Sequence, residues 1–145
     1  MSMTDVFYSL GKSDALKLRE EASNLDGTQI TERETAVPDF DPQKDYTAWP
    51  AGSPVKDEGQ VWTLLIPHNA SHYPGVRPST NRACWGLAHT KNPARAKAWV
   101  DSYGTSGLYM KDECYKENGI VYRSKRDNQD RKASVLPDDW EIVTV

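Results

Sequence analysis

YMKDECYKENGIVY, residues 109–122, reads as a β-hairpin. Asn118-Gly119 is the dipeptide that a tight two-residue turn favours, because both central residues need a positive φ. Tyr115 stands before the turn and Val121-Tyr122 after it. Sixty positions earlier, WPAGSPVKDEGQVW, residues 49–62, has the same layout. There Glu58-Gly59 takes the turn, with Val55 before it and Val61-Trp62 after it. Aligning Trp49 with Tyr109 sets Gly52 on Asp112, Val55 on Tyr115, Gly59 on Gly119 and Trp62 on Tyr122. A small unit is repeated, and a repeat settles the architecture before any other signal does.

Each hairpin is followed by a polar, turn-rich stretch that ends in tryptophan. These are HNASHYPGVRPSTNRACW, ending at Trp85, and KRDNQDRKASVLPDDW, ending at Trp140. Apolar residues come next, Leu87 in one copy and Ile142-Val143 in the other, and predict a third strand returning beside each hairpin. The two tryptophans come into register through a five-residue length difference in the loops, where such differences are tolerated.

Residues 1–45 carry a different pattern. In SDALKLREEASNLDG, Ser13 suits an N-cap and Gly27 a C-terminal stop, predicting a helix over 13–25. Ala15, Leu18, Ala22 and Leu25 form a stripe along one face of it. Thr31 and Glu34 match a capping box, and the Pro38–Pro42 stretch reads as an extended connector. In NPARAKAWVDSYGTSG, Pro93 is placed to open a short helix containing Ala94, Ala96, Ala98 and Trp99. The fold class expected is therefore α+β. A helical segment (1–45) leads into a first β module (46–90), a compact helical linker (91–108) and a second β module (109–145), with the three-stranded modules packed together. Such modules have little apolar surface to spare for the helical stripe. The stripe is accordingly expected to meet other chains, in a homo-oligomer.

Composition excludes several functions. A net charge of −3 gives no electrostatic ground for nucleic-acid binding. The one basic cluster, Arg123 to Lys132, is interrupted by Asp127 and Asp130 and reads as a solvated face. No apolar run approaches the ~20 residues of a membrane span, and MSMTDVFYSLGK lacks the features of a secretory signal. Cys84 and Cys114 are expected to be free thiols. The neighbouring carboxylates Asp57-Glu58 and Asp138-Asp139 lie in turn-like sequence, not across a cleft as glycosidase carboxylates must. His68 and His72 have a helical zinc spacing, but Pro67 and Pro74 bracket them and no Glu or Cys stands at a ligand spacing. The expectation is a non-enzyme with no metal and no cofactor.

The recurring order of aromatic, glycine, turn glycine, aromatic, polar loop and tryptophan resembles the carbohydrate-binding modules of families 5 and 12. That chitin-binding type is found on chitinases and in many phage tail proteins. The second copy carries it through Tyr109, Asn118-Gly119, Val121-Tyr122-Arg123-Ser124, Asp127-Asn128 and Trp140-Glu141-Ile142-Val143. It departs at Asp112 and Tyr115, where that family has Gly and Val. The resemblance spans residues 46–145, and a helical head before two such modules is similar to prophage-encoded relatives. It implies a virion accessory protein on a tail or capsid, made in the host cytoplasm, touching host-surface polysaccharide and other virion proteins. The alternative is a structural decoration or cementing protein with no sugar binding. A sugar site needs a flat aromatic for the ring face and polar groups for its rim. The candidates are Trp62, Tyr73, His68, Asn69, His72 and Arg77 in the first copy, and the poorer pair Tyr122 and Arg123 in the second.

Overall fold

Two three-stranded antiparallel sheets follow a helical segment, an α+β layout of small β modules. The structure is a computed structural model and describes residues 14–145. The expected N-cap, Ser13, lies outside the described residues. Helix α1 covers residues 14–21 and runs into a 3₁₀ turn at Ala22–Asn24. Helix α2 is Gly27–Glu32. The first sheet holds β1 (Pro54–Asp57), β2 (Gln60–Leu64) and β3 (Trp85–Leu87). The second holds β4 (Cys114–Glu117), β5 (Ile120–Ser124) and β6 (Trp140–Val143).

The duplication is visible in the hydrogen bonding. Val55 pairs with Trp62 and Tyr115 with Tyr122, while Trp62 pairs with Leu87 and Tyr122 with Ile142. Glu58-Gly59 and Asn118-Gly119 have positive φ at both positions, the two-residue turn that matches strand twist. The Gly52 N–H donates to the Leu64 carbonyl at 2.7 Å, and the Asp112 N–H to that of Ser124 at 2.8 Å. Both donors have positive φ, so Asp112 stands in a conformation that glycine adopts more easily.

One expected correspondence is wrong. Tyr46, not Trp49, is the counterpart of Tyr109. Tyr46 is fully buried, stacks on Phe40 at 5.8 Å and meets Trp85 edge-on at 5.2 Å. Tyr109 stacks on Trp99 at 4.7 Å and meets Trp140 edge-on at 5.7 Å. Six steps separate Tyr46 from Gly52 and three separate Tyr109 from Asp112, so the first copy carries an insertion that an ungapped alignment hides. Trp49 is half-buried at the rim of that cluster, edge-on to Tyr46 at 4.7 Å, with the Arg19 guanidinium 4.0 Å from its ring centroid.

The helical segment also differs from expectation. Leu18 and Ala22 are buried within the chain itself and Ala15 and Leu25 are half-buried, so half of the stripe expected to meet other chains is covered internally. Leu18 packs with Ile30, Val37, Val61 and Ala88 on the back of the first sheet, the face opposite its aromatic core. Gly27 opens α2 instead of closing α1, since a Cβ there would stand 2.3 Å from the His89 carbonyl oxygen. The capping box is Asp26 with Gln29, and Thr31 is buried, turning its hydroxyl to the Gly27 and Thr28 carbonyls. The expected linker helix shrinks to a 3₁₀ turn at Pro93–Arg95, with Ala96, Ala98 and Trp99 beyond it. Tertiary bonding decides this, because Lys97 offers its carbonyl to the Lys116 N–H of β4 at 2.8 Å.

Residues 98–101 join the modules. Trp99 enters the aromatic core of the second module, and its neighbour Val100 packs on that of the first. Gln60 Nε2 donates to the Ala98 carbonyl at 3.0 Å and Arg82 Nη1 to that of Asp101 at 2.8 Å. His89 stacks on Tyr109 at 3.6 Å while its Nε2–H donates to the Gly107 carbonyl at 2.8 Å.

Two outcomes follow for stability. Gly59→Ala, with open space around the new methyl, should cost about 1–2 kcal/mol for its left-handed φ. Gly52→Ala should cost more in the same denaturant titration, because its Cβ would sit 3.1 Å from the Ser23 backbone. Burial, reinforced by Arg82, holds the His89 imidazole at about 4, below its ordinary 6.5. The unfolded chain therefore takes up a proton that the folded chain refuses between those values. Stability should be complete above pH 6.5 and fall on acidification through this window, by up to about 2 kcal/mol from pH 6.5 to 5. His89→Phe should remove that slope from thermal melts.

Candidate functional site

The loop from Ile66 to Cys84 forms a cleft of about 450 Å³ on the first module. Its shape comes from local rules. Pro67, Pro74 and Pro78 fix φ along it, and 3₁₀ turns at Ala70–His72 and Pro78–Thr80 fold it back on itself. Buried Ala70, in the first aromatic cluster, anchors it from below. The Asn81 carbonyl accepts from the N–H groups of Cys84 and Trp85, both at 3.1 Å, and so ties its far end to β3.

Tyr73 is the exposed aromatic of this cleft, with 55% of its surface open. Its ring stacks on that of His68 at 5.5 Å and 25°. His68 is buried, edge-on to Trp85, and burial holds its imidazole below the usual range. Asn69 Oδ1 accepts from the Ser71 N–H and hydroxyl, so its amide nitrogen is the group 3.3 Å from His72 Nε2. The Asn81 amide nitrogen stands 3.5 Å from His68 Nε2. Ile66, Val76 and Pro67 give the cleft an apolar side. No Asp, Glu, Lys or Arg side chain lines the cleft. The arrangement offers a planar aromatic shelf, amide and imidazole rim groups and an apolar corner.

The structure brings Tyr73, His68, Asn69 and His72 together and separates the other candidates. Trp62 is 1% exposed, donates Nε1–H to the Asp57 carbonyl at 3.2 Å and has Arg82 over its ring. No sugar can reach it. Its strand position turns it into the core, as the alternation of a half-buried strand requires. Arg77 is also elsewhere. Its Nε donates to Asp57 Oδ2 at 2.9 Å and its Nη2 to Oδ1, with Glu58 at 3.4 Å, so it binds the loop to the β1–β2 turn. Tyr122 and Arg123 are adjacent in β5 and project from opposite sheet faces, which rules out one shared site. Tyr122 stacks on Tyr115 at 5.1 Å beside a smaller cleft of about 300 Å³, with Ala133, Pro137 and Ile142.

Ile66, Val76, Thr80, Asn81 and Cys84 line the cleft without having been named as site candidates from the sequence. Ile66 left a trace, since it extends the apolar run of β2 into a loop where no strand can bury it. A scan against protein-family models returns no match for this chain, and a search of characterised proteins finds none similar to it in sequence.

Trp62→Ala should act on stability alone, costing about 3–5 kcal/mol as a core cavity. A denaturation midpoint that moves by less than a quarter of that would mean the ring is not in the core.

Proposed function

We propose that the protein is a non-catalytic accessory protein of a phage or prophage particle that binds host-surface glycan through the cleft at Tyr73. The observation that carries this reading is the exposed Tyr73 ring, backed by His68 and rimmed by Asn69, His72 and Asn81, over a cleft that no Asp, Glu, Lys or Arg lines. A sugar ring presents C–H groups on its face and hydroxyls on its edge, and these groups complement both. The cleft's volume lies within the range of small-ligand sites, and its prolines lower the entropy lost on binding. No carboxylate lines it, so it lacks the acid and base pair of a glycosidase. The particle assignment draws on the resemblance of residues 46–145 to family 5 and 12 modules, which occur in phage tail proteins.

The inward placement of Trp62 favours a second reading, a structural particle protein whose modules do not bind sugar. One experiment separates the two. Wild type and Tyr73→Ala are incubated with insoluble chitin and with host cell-wall polysaccharide, and the bound fraction is measured. An aromatic stacked on a nucleobase is worth roughly 1–3 kcal/mol by alanine substitution, and a sugar face is taken at the lower end. Tyr73→Ala should therefore weaken binding several-fold, up to about tenfold. Its melting should change by less than about 0.5 kcal/mol, since most of its surface is open. Absence of wild-type binding to either polymer, or equal binding by the variant, gives the structural reading the decision.

A further inference from the structure

The helical segment and both modules converge on a second cleft, of about 490 Å³, which shares no lining residue with that of Tyr73. Leu25 and Ile30 line it from the helical segment, Leu65 and Leu87 from the first module, and Met110 and Glu113 from the start of the second. Its walls are pinned by contacts that only glycine permits. A Cβ on Gly27 would stand 2.3 Å from the His89 carbonyl oxygen, and one on Gly52 3.1 Å from the Ser23 backbone. All four residues belong to the lining. The cleft is therefore preformed, and its volume lies in the range of small-ligand sites. Its apolar surface is open, with Leu65 43% and Met110 38% exposed.

Glu113 is the one Asp, Glu, Lys or Arg of this lining, and it is half-buried. Its Oε1 accepts from the Met110 N–H at 2.6 Å. Among the described residues, no Lys or Arg stands within ion-pair distance of it. The charged groups that act on it are Lys91, Asp26 and Asp127, so anions outnumber cations around it. The His89 imidazole, held at about 4, adds no charge near neutrality. Burial raises the Glu113 carboxyl above its ordinary range, as expected of an anion without a partner. The repeat shows that the local turn does not require this anion. The Ser53 N–H donates to the Pro50 carbonyl as the Glu113 N–H donates to that of Met110. The first copy thus closes the same turn with a serine in the place of Glu113.

We propose that this cleft binds a small aliphatic ammonium ion, its N–H groups bonded to Glu113 and its chain laid along Leu65, Leu87 and Met110. Charge complementarity selects the class. An anionic ligand would meet the carboxylate with like charge, and a neutral one would leave it unpaired. An ammonium brings donors, no acceptor and the opposite charge, and charge-assisted hydrogen bonds are the strong ones. The leucines and Met110 match a methylene chain. No aromatic ring lines the cleft, so it lacks the cage that holds a quaternary ammonium, and the cation must carry N–H groups. The site is independent of what the Tyr73 cleft binds.

Titration of the full chain near neutral pH, followed at the Met110 methyl resonance, tests this with hexylammonium, hexanol, hexanoate and hexyltrimethylammonium as probes. Hexylammonium should bind about tenfold or more tightly than hexanol, and hexanoate more weakly than either. Acidification that protonates Glu113 should weaken the amine and leave the alcohol unchanged. Glu113→Gln keeps an acceptor for the Met110 N–H and the apolar walls. It should bind hexanol as the wild type does and lose the preference for the amine. Ala51→Trp, which sets bulk at the exposed rim of the cleft, should weaken amine and alcohol together. Thermal melts establish that both variants are folded. A wild type that binds no amine, or binds amine and alcohol equally, overturns the proposal. So does a preference that survives Glu113→Gln, or hexyltrimethylammonium binding as tightly as hexylammonium.

Discussion

The Tyr109 ring lies between two others, His89 at 3.6 Å on one side and Trp99 at 4.7 Å on the other. The three rings come from the end of the first module, the joining segment and the start of the second. Each aromatic pair adds roughly 0.5–1.5 kcal/mol beyond the area it buries. The stack also sets positions. Seating Trp99 there leaves Val100, the next residue, to pack against the first core. Burial has protonation consequences as well, pushing the Tyr109 phenol above its ordinary range and the His89 imidazole below its own. Both rings stay neutral where the modules meet.

This explains how units so small hold together. A three-stranded sheet buries too little to be robust alone. Here each module receives residues from outside its own hairpin. The first takes Phe40 on its aromatic side, and Leu18, Ile30 and Val37 on its back. The second takes Trp99. Ion pairs from Glu34 to Lys97 and Glu32 to Arg95 cross from the helical segment to the joining segment, where partial exposure makes them minor contributors beside the apolar contacts. The helical segment is thereby part of the first module's core.

The cleft at Tyr73 depends on this rigidity at one remove. Its aromatic shelf is on a loop, yet the loop rests on Ala70 and His68, both buried against the first core. Prolines restrict it further, and the Arg77–Asp57 pair ties it to the β1–β2 turn. A loop fixed in this way presents an exposed ring without ordering it anew for each ligand.

Local chemistry determined the hairpins, the turn glycines, the third strands and the place of Tyr73, because φ preference, alternation and proline stiffness act over a few residues. Asn118-Gly119 and Glu58-Gly59 needed nothing beyond their neighbours. Tertiary structure decided which aromatics are equivalent, since an insertion before Gly52 moved the buried ring from Trp49 to Tyr46. It decided that Trp62 is core and Arg77 a tie, because the side of a strand or loop that meets solvent depends on what else covers it. It reversed the sense of Gly27, whose missing side chain answers a contact with His89, sixty-two residues away. It also decided that Leu18 and Ala22 of the stripe on α1 are spent within the chain. Burial is a property of the packed whole, and an amphipathic pattern states only that a face will be covered, never by what.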